Sequence, residues 1–142
     1  MSYDRLVVEA DGASRGNPGA AAGGAVVINP ETGDVLARAG VLCGEASNNV
    51  AEYRGMIEGL DIALALAPQG SIHVRMDSKL VVEQMSGRWK IKHPDMQGLA
   101  RRARELMGSH RVTFEWVPRE DNARADAAAN NALDRGESYR EL

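Results

Sequence analysis

The chain carries a single cysteine, Cys43, so an internal disulfide is excluded. It has no signal-peptide pattern and no apolar run of membrane-spanning length, so the expected setting is the cytoplasm, with no membrane partner. Net positive charge is missing as well. The formal balance is −3, so no bulk cationic field advertises nucleic-acid binding. Internal repeats and low-complexity tracts are absent too. What remains is 142 residues, 44% hydrophobic and 26% charged, the profile of one folded domain with a real core rather than a disordered chain. The charge is uneven, however. Arg88, Lys90, Lys92, Arg101, Arg102, Arg104 and Arg111 stand against only Asp95 and Glu105, a local basic surplus in an otherwise acidic chain.

Apolar periodicity divides the chain into elements. Residues 6–10 read as a strand entering a Gly/Pro-rich turn at 12–19. Residues 24–29 and 34–42 read as two more strands joined by the turn Pro30-Glu31-Thr32-Gly33, an antiparallel hairpin. Tyr53, Met56, Ile57, Leu60, Ala63, Leu64 and Ala67 recur at helical spacing and predict a long amphipathic helix, stopped by Pro68 and Gly70. Alternation over 71–76 predicts a fourth strand running into Asp77, and 78–85 a short helix closed by Gly87. A second amphipathic helix follows Pro94, then a fifth strand over 112–117 and an Ala-rich helix over 123–135. The order βββαβααβα predicts an α/β fold: a five-stranded mixed sheet, three antiparallel strands then two parallel, flanked by helices. Residues 1–136 are assigned to this domain, expected to be a monomer, and 137–142 to a polar tail or the start of a linker to a further domain.

Four carboxylates, Asp11, Glu52, Asp77 and Asp126, fall where one predicted element gives way to the next. Each alone has an ordinary explanation. Asp11-Gly12 suits a turn, and Glu52, three residues after Asn49, suits a capping box. Asp77 suits a helix N-cap, and Asp126 the electrostatics of a first helical turn. Together they say more, because two strand ends and two first turns can face one rim of a mixed sheet. Converging acids repel one another and are tolerated where cations neutralise them. Hard divalent ions such as Mg²⁺ take oxygen ligands, and two ions about 4 Å apart can clamp the attacking and leaving oxygens of a displacement at phosphorus.

The runs DGASRGNPG (11–19), NNVAEY (48–53), MDSKLVV (76–82) and NARADAAAN (122–130), in that order over nearly the whole chain, resemble type 1 ribonuclease H. The resemblance implies the ribonuclease H-like fold and cleavage of the RNA strand of an RNA/DNA hybrid. The reaction would use Mg²⁺ or Mn²⁺, two ions with substrate bound, and leave 5′-phosphate and 3′-hydroxyl ends. It implies that Asp11 bridges both ions and that Asp77 and Asp126 serve the ion that activates water. Glu52 would hold the other ion and face the RNA 2′-hydroxyl. Gly12, Ser14 and Asn17 would lie against the RNA strand, where small side chains permit close approach. Ser47 matches a DNA-phosphate anchor, and Asn48 and Asn49 match contacts to minor-groove base edges. Trp89, flanked by Arg88, Lys90 and Lys92, resembles an aromatic that lies against a DNA sugar, although burial in the core would suit a lone Trp equally well. The basic surplus would then be the DNA footprint.

The pattern departs from much of the family in one place. Many members carry a His on a flexible loop before the last acid, whereas the stretch VPREDNARA (117–125) is short and has none. It resembles a subset with an Arg there, here Arg119. A separate basic handle also has no counterpart. Glu9, on the same strand face as Asp11 by alternation, has no assigned role. Two other functions suit such a chain: a DNA strand-transfer or junction-cleaving enzyme on the same fold, and a non-catalytic hybrid-binding module. The minimal length and the NNxAE pattern speak against the first, and the complete set of acids against the second.

Overall fold

The chain begins with three antiparallel strands. In the computed structural model, which describes residues 2–142, these are β1 (Arg5–Gly16), β2 (Gly19–Ile28) and β3 (Val35–Ala46). There follow α1 (Asn48–Leu66), β4 (Ser71–Met76), α2 (Lys79–Met85), α3 (Pro94–Met107) and β5 (Val112–Trp116). A 3-10 turn at Arg119–Asp121, α4 (Ala123–Arg135) and β6 (Tyr139–Glu141) complete the order. The sheet runs β5-β4-β1-β2-β3-β6, parallel across β1, β4 and β5 and antiparallel elsewhere. The α/β class and the division into antiparallel and parallel halves are as the sequence predicts. No helix among the described residues is long and apolar enough to cross a membrane.

The sheet has six strands rather than five. The segment that reads as a polar tail places Tyr139, Arg140 and Glu141 against Gly40, Ala39 and Arg38 of β3. It carries no apolar alternation because polar contacts hold it. Arg140 binds Glu58 and Asp61 of α1 at 2.7 and 2.8 Å, and the Tyr139 hydroxyl donates to the Ala128 carbonyl at 2.8 Å.

The predicted turn at 12–19 is mostly strand. β1 continues through it to Gly16, and the hairpin turns at Asn17-Pro18, which is cis. The reason lies in the layers. β2 is buried from Ala21 to Ile28 because α1 covers one face of the sheet and α4 the other. A Cβ on Gly12 would stand 2.3 Å from the backbone nitrogen of Glu52, and one on Gly24 would stand 2.3 Å from that of Ala129. Glycines that look like turn residues are therefore the places where helix backbones meet the sheet.

The predicted stripe of α1 is the centre of the core. Tyr53, Met56, Ile57, Leu60 and Ala63 are buried against Leu6 and Val8 of β1 and Ile72, Val74 and Met76 of β4. Ala100 and Ala103 of α3 close the outer side of this cluster. A smaller cluster, Val26, Ile28 and Ala128, lies under α4.

Gly24→Ala should push α4 away from β2, because the added methyl meets backbone rather than a movable side chain. Overpacking of this kind costs about 1–3 kcal/mol. Thermal denaturation should show a midpoint lowered by roughly 2–8 °C; an unchanged midpoint would show that the methyl has room.

Candidate active site

Parallel pairing between β1 and β4 stops at Ala10 and Met76, while antiparallel pairing of β1 with β2 continues to Gly16. Asp11 is the first residue past that fork. It does not end its strand, as the sequence suggested; it lies inside β1 at the point where one neighbour drops away. Beyond it the edge of β1 on the β4 side has no strand partner, so backbone N–H and C=O groups there are open to a ligand. The Asp11 carboxylate accepts the Gly12 N–H at 2.9 Å.

The helix caps are not the acids. Ser47 caps α1 by accepting the Val50 N–H at 3.3 Å, so the helix starts earlier than a cap at Asn49 would place it. Glu52 consequently lies in the second turn, not the first, and no capping box forms. Ser78, not Asp77, caps α2, accepting the Val81 N–H at 3.3 Å. Asp77 directly follows β4, and its carboxylate instead accepts a bond from Asn122 Nδ2 at 2.9 Å. The same nitrogen donates to the Ala10 carbonyl at 2.8 Å, which ties the start of α4 to both β1 and Asp77. Asp126 does lie in the first turn of α4, and Asn130 one turn later donates to its carbonyl and its carboxylate at 3.1 and 3.3 Å.

Three of the four acids converge. One oxygen each from Asp11, Glu52 and Asp77 lie within 4.8 Å of one another. Asp126 stands outside that group but borders the same cleft, about 360 Å³, together with Gly12, Ser14, Asn48, Arg119 and Asn130. Burial pushes the Asp11 carboxyl up to about 7, helped by the negative charges of Asp77 and Asp126. Burial, then Asp11 and Asp77, push Glu52 up still further. Glu52 Oε2 is buried with no hydrogen-bond partner. A lone buried carboxylate oxygen facing two other carboxylates fits a hard divalent cation, since an all-oxygen ligand set suits Mg²⁺ or Mn²⁺.

The other expected contact residues separate into two groups. Asn17 joins the hairpin to α1, its Oδ1 accepting the Asn48 N–H at 3.1 Å. The Ser14 hydroxyl is turned onto the Gly16 and Ala46 carbonyls, the latter at 3.1 Å. Ser14 lines the cleft and Asn17 is exposed outside its lining, while Asn48 and Asn49 are exposed at the helix start. Trp89 is 45% exposed, which excludes core packing. It borders a second cleft of about 730 Å³ with Gln84, Ile91, Gln97, Arg101 and Arg104. The basic surplus is thus divided. Arg101 and Arg104 face Trp89, Arg88 is held by Glu83 at 2.6 and 3.0 Å, and Arg102 faces Glu58 and Asp61.

Asn122 and Asn130, whose amides hold Asp77 and Asp126, are not singled out by the sequence pattern. Their signal was available: amides flanking Asp126 within one run, NARADAAAN.

Comparison with known proteins agrees with this geometry. A family model described as reverse transcriptase-like matches residues 9–132. The bifunctional protein Rv2228c of Mycobacterium tuberculosis is 54% identical over 131 residues, 92% of this chain, and the chain spans only 36% of that relative's length. The solved N-terminal RNase H domain of Rv2228c superposes with a TM-score of 0.87 at 53% identity, covering 94% of this chain and 96% of that one. Ribonuclease HI of Halobacterium salinarum is 45% identical over 125 residues, 87% of this chain and 62% of the relative. LC11-RNase H1, solved in complex with an RNA/DNA hybrid, gives a TM-score of 0.86 at 34% identity over 92% of this chain and 98% of that one.

The raised carboxyls make a stability prediction. Between the ordinary carboxylate range and about pH 7, the folded cation-free protein binds more protons than the unfolded chain, so its stability falls as pH rises. In chelator, Asp11→Asn should be more stable than wild type at pH 8 by about 1–3 kcal/mol, with the gap closing toward pH 5. Mg²⁺ should raise the melting point of wild type more than that of the variant. Parallel melting curves across pH would show no converging gap if the acids are not in conflict.

Proposed function

The chain belongs to the type 1 ribonuclease H family of reverse transcriptase-like domains, and on that premise we propose that it hydrolyses the RNA strand of RNA/DNA hybrids. The convergence of Asp11, Glu52 and Asp77 around a buried, partnerless carboxylate oxygen carries this reading. With hybrid bound, two divalent cations, Mg²⁺ or Mn²⁺, held by these acids and Asp126 would activate the attacking water and steady the departing 3′-oxygen, leaving a 5′-phosphate and a 3′-hydroxyl.

The protein's part is to hold and aim the ligands. Asn122 orients the Asp77 carboxylate against the strand that carries Asp11, and Asn130 orients Asp126. No base or nucleophile from the protein is required. The open edge of β1 beyond Asp11 offers backbone groups to the sugar-phosphate chain. The 2′-hydroxyl, both donor and acceptor, is the mark by which this edge and Glu52 would distinguish RNA from DNA. Arg119 supplies the cleft's cationic side chain where other members have a His. The three histidines are engaged elsewhere: His73 with Thr113 and Glu115, His93 as the cap of α3, and His110 on the Met107 and Pro68 carbonyls. Arg101 and Arg104 beside Trp89 form a basic and aromatic groove of the kind that holds the DNA strand's backbone.

A hybrid containing a chimeric strand, incubated with Mg²⁺, tests the proposal. Cleavage should be confined to the RNA segment; cutting of all-DNA junctions, or tight binding without cleavage under any divalent ion, would sink it. Asp77→Asn keeps an acceptor for Asn122 and should fold. Its turnover should fall roughly a hundredfold or more, the scale of losing one electrostatic stabiliser of a transition state, while hybrid binding stays near wild type. Retention of most of the rate would remove Asp77 from the site. Arg101→Ala should weaken hybrid binding and reduce its salt slope by about one, whereas Arg102→Ala, on the other side of α3, should change neither. Equal effects of the two would argue against the groove beside Trp89.

A further inference from the structure

Glu9 is only 3% exposed and does not line the cleft. Arg124 at the start of α4 grips it with two bonds, Nε to Oε1 at 3.1 Å and Nη2 to Oε2 at 3.0 Å. Arg75 of β4 lies between the same Oε2, at 3.8 Å, and Glu115, at 3.7 Å. Each member of this triad stands two residues before an acid of the cleft: Glu9 before Asp11, Arg75 before Asp77, Arg124 before Asp126. The triad therefore links, one layer behind the cleft, the three elements that present those acids.

The seat of α4 shows why such a link matters. Its buried face is Ala125, Ala128, Ala129 and Ala132. Close backbone contact at Gly24 sets its distance from the sheet, whereas a smooth alanine face offers few knobs to fix its position along and about its axis. Polar ties supply that registration, and a bidentate guanidinium–carboxylate pair is the most directional of them.

We propose that Glu9, with Arg124 and Arg75, is a positioning device that sets where Asp126 stands relative to the Asp11, Glu52 and Asp77 group, and thereby sets the affinity of the cleft for divalent cation. This rests on the reading of the cleft as a cation site. The triad touches no cation or substrate itself; it acts through α4.

Calorimetric titration of Mn²⁺ into the substrate-free protein tests it. Glu9→Gln and Arg124→Met should each weaken Mn²⁺ binding by about tenfold or more, the range found for residues that orient metal ligands. Arg124→Lys, which keeps the charge and loses the fork, should weaken it by about threefold, and should fold even if Glu9→Gln does not. The double variant should bind no more weakly than the worse single one, because both remove the same tie. Arg140→Ala, which frees β6 from α1, should lower the melting point and leave Mn²⁺ affinity unchanged, separating positioning from general loosening. Affinities of the triad variants within twofold of wild type would overturn the proposal, as would loss of affinity in Arg140→Ala in step with its melting point. A wild type that cleaves hybrid and binds Mn²⁺ alongside unchanged triad variants overturns the triad alone. A wild type that does neither overturns the proposed function and the triad's role with it.

Discussion

The distance between two backbones, that of β1 and that of α1, is the constraint from which the site follows. A Cβ on Gly12 would stand 2.3 Å from the Glu52 nitrogen, so the helix rests directly on the strand beside Asp11. Side chains that repel can swing apart when only side chains hold them. Here main-chain contact at Gly12 holds the start of α1 against β1, and the Glu52 carboxylate lies within 4.8 Å of those of Asp11 and Asp77. Burial and mutual repulsion then act together, which is why both carboxyls are pushed above their ordinary range. A divalent cation relieves both at once, by replacing water around the oxygens and by cancelling their charge.

Holding such a group together also requires that its members be spared other duties. Three of the four acids, Glu52, Asp77 and Asp126, sit near a helix start, where orphan N–H groups compete for any nearby acceptor. Two hydroxyls, on Ser47 and Ser78, answer that demand for α1 and α2. Asn122 marks the start of α4 without a side-chain cap bond and spends its amide on Ala10 and Asp77. Neutral side chains thus answer the helix starts, and none of the four acids is spent on a cap.

Much of this was legible in the sequence, and its gaps have physical reasons. The α1 stripe could be read because period-3.6 burial leaves a strong pattern; Tyr53, Met56 and Leu60 are all fully buried. The convergence of Asp11, Glu52 and Asp77 could be read from their joint placement. The strand character of residues 12–16 could not, because Gly in a strand pressed by a helix and Gly in a turn look alike until the helix is in place. Nor could the caps, since Ser47 and Asn49, or Asp77 and Ser78, are equally good cap residues a step or two apart. β6 was hidden because what holds it, Arg140 against Glu58 and Asp61, joins positions about 80 residues apart. Trp89 had two readings of equal weight, and its exposure removes core packing.

The placement of the fourth acid follows from the same distinction between main-chain and side-chain control. Asp11, Glu52 and Asp77 are set by strand pairing and by a helix resting on glycine, which leave little freedom. Asp126 is carried by a helix that also rests on glycine, at Gly24, but its remaining contact face is a smooth row of alanines, and Asp126 lies outside the three-acid group. Its position depends on ties made by side chains: Asn122 to β1 and Asp77, Asn130 within α4, and Glu9 with Arg124 behind. The rim therefore has a rigid half and a tied half. If the proposed function holds, a cation would seat on the rigid half, and the use of Asp126 would depend on how firmly α4 is held.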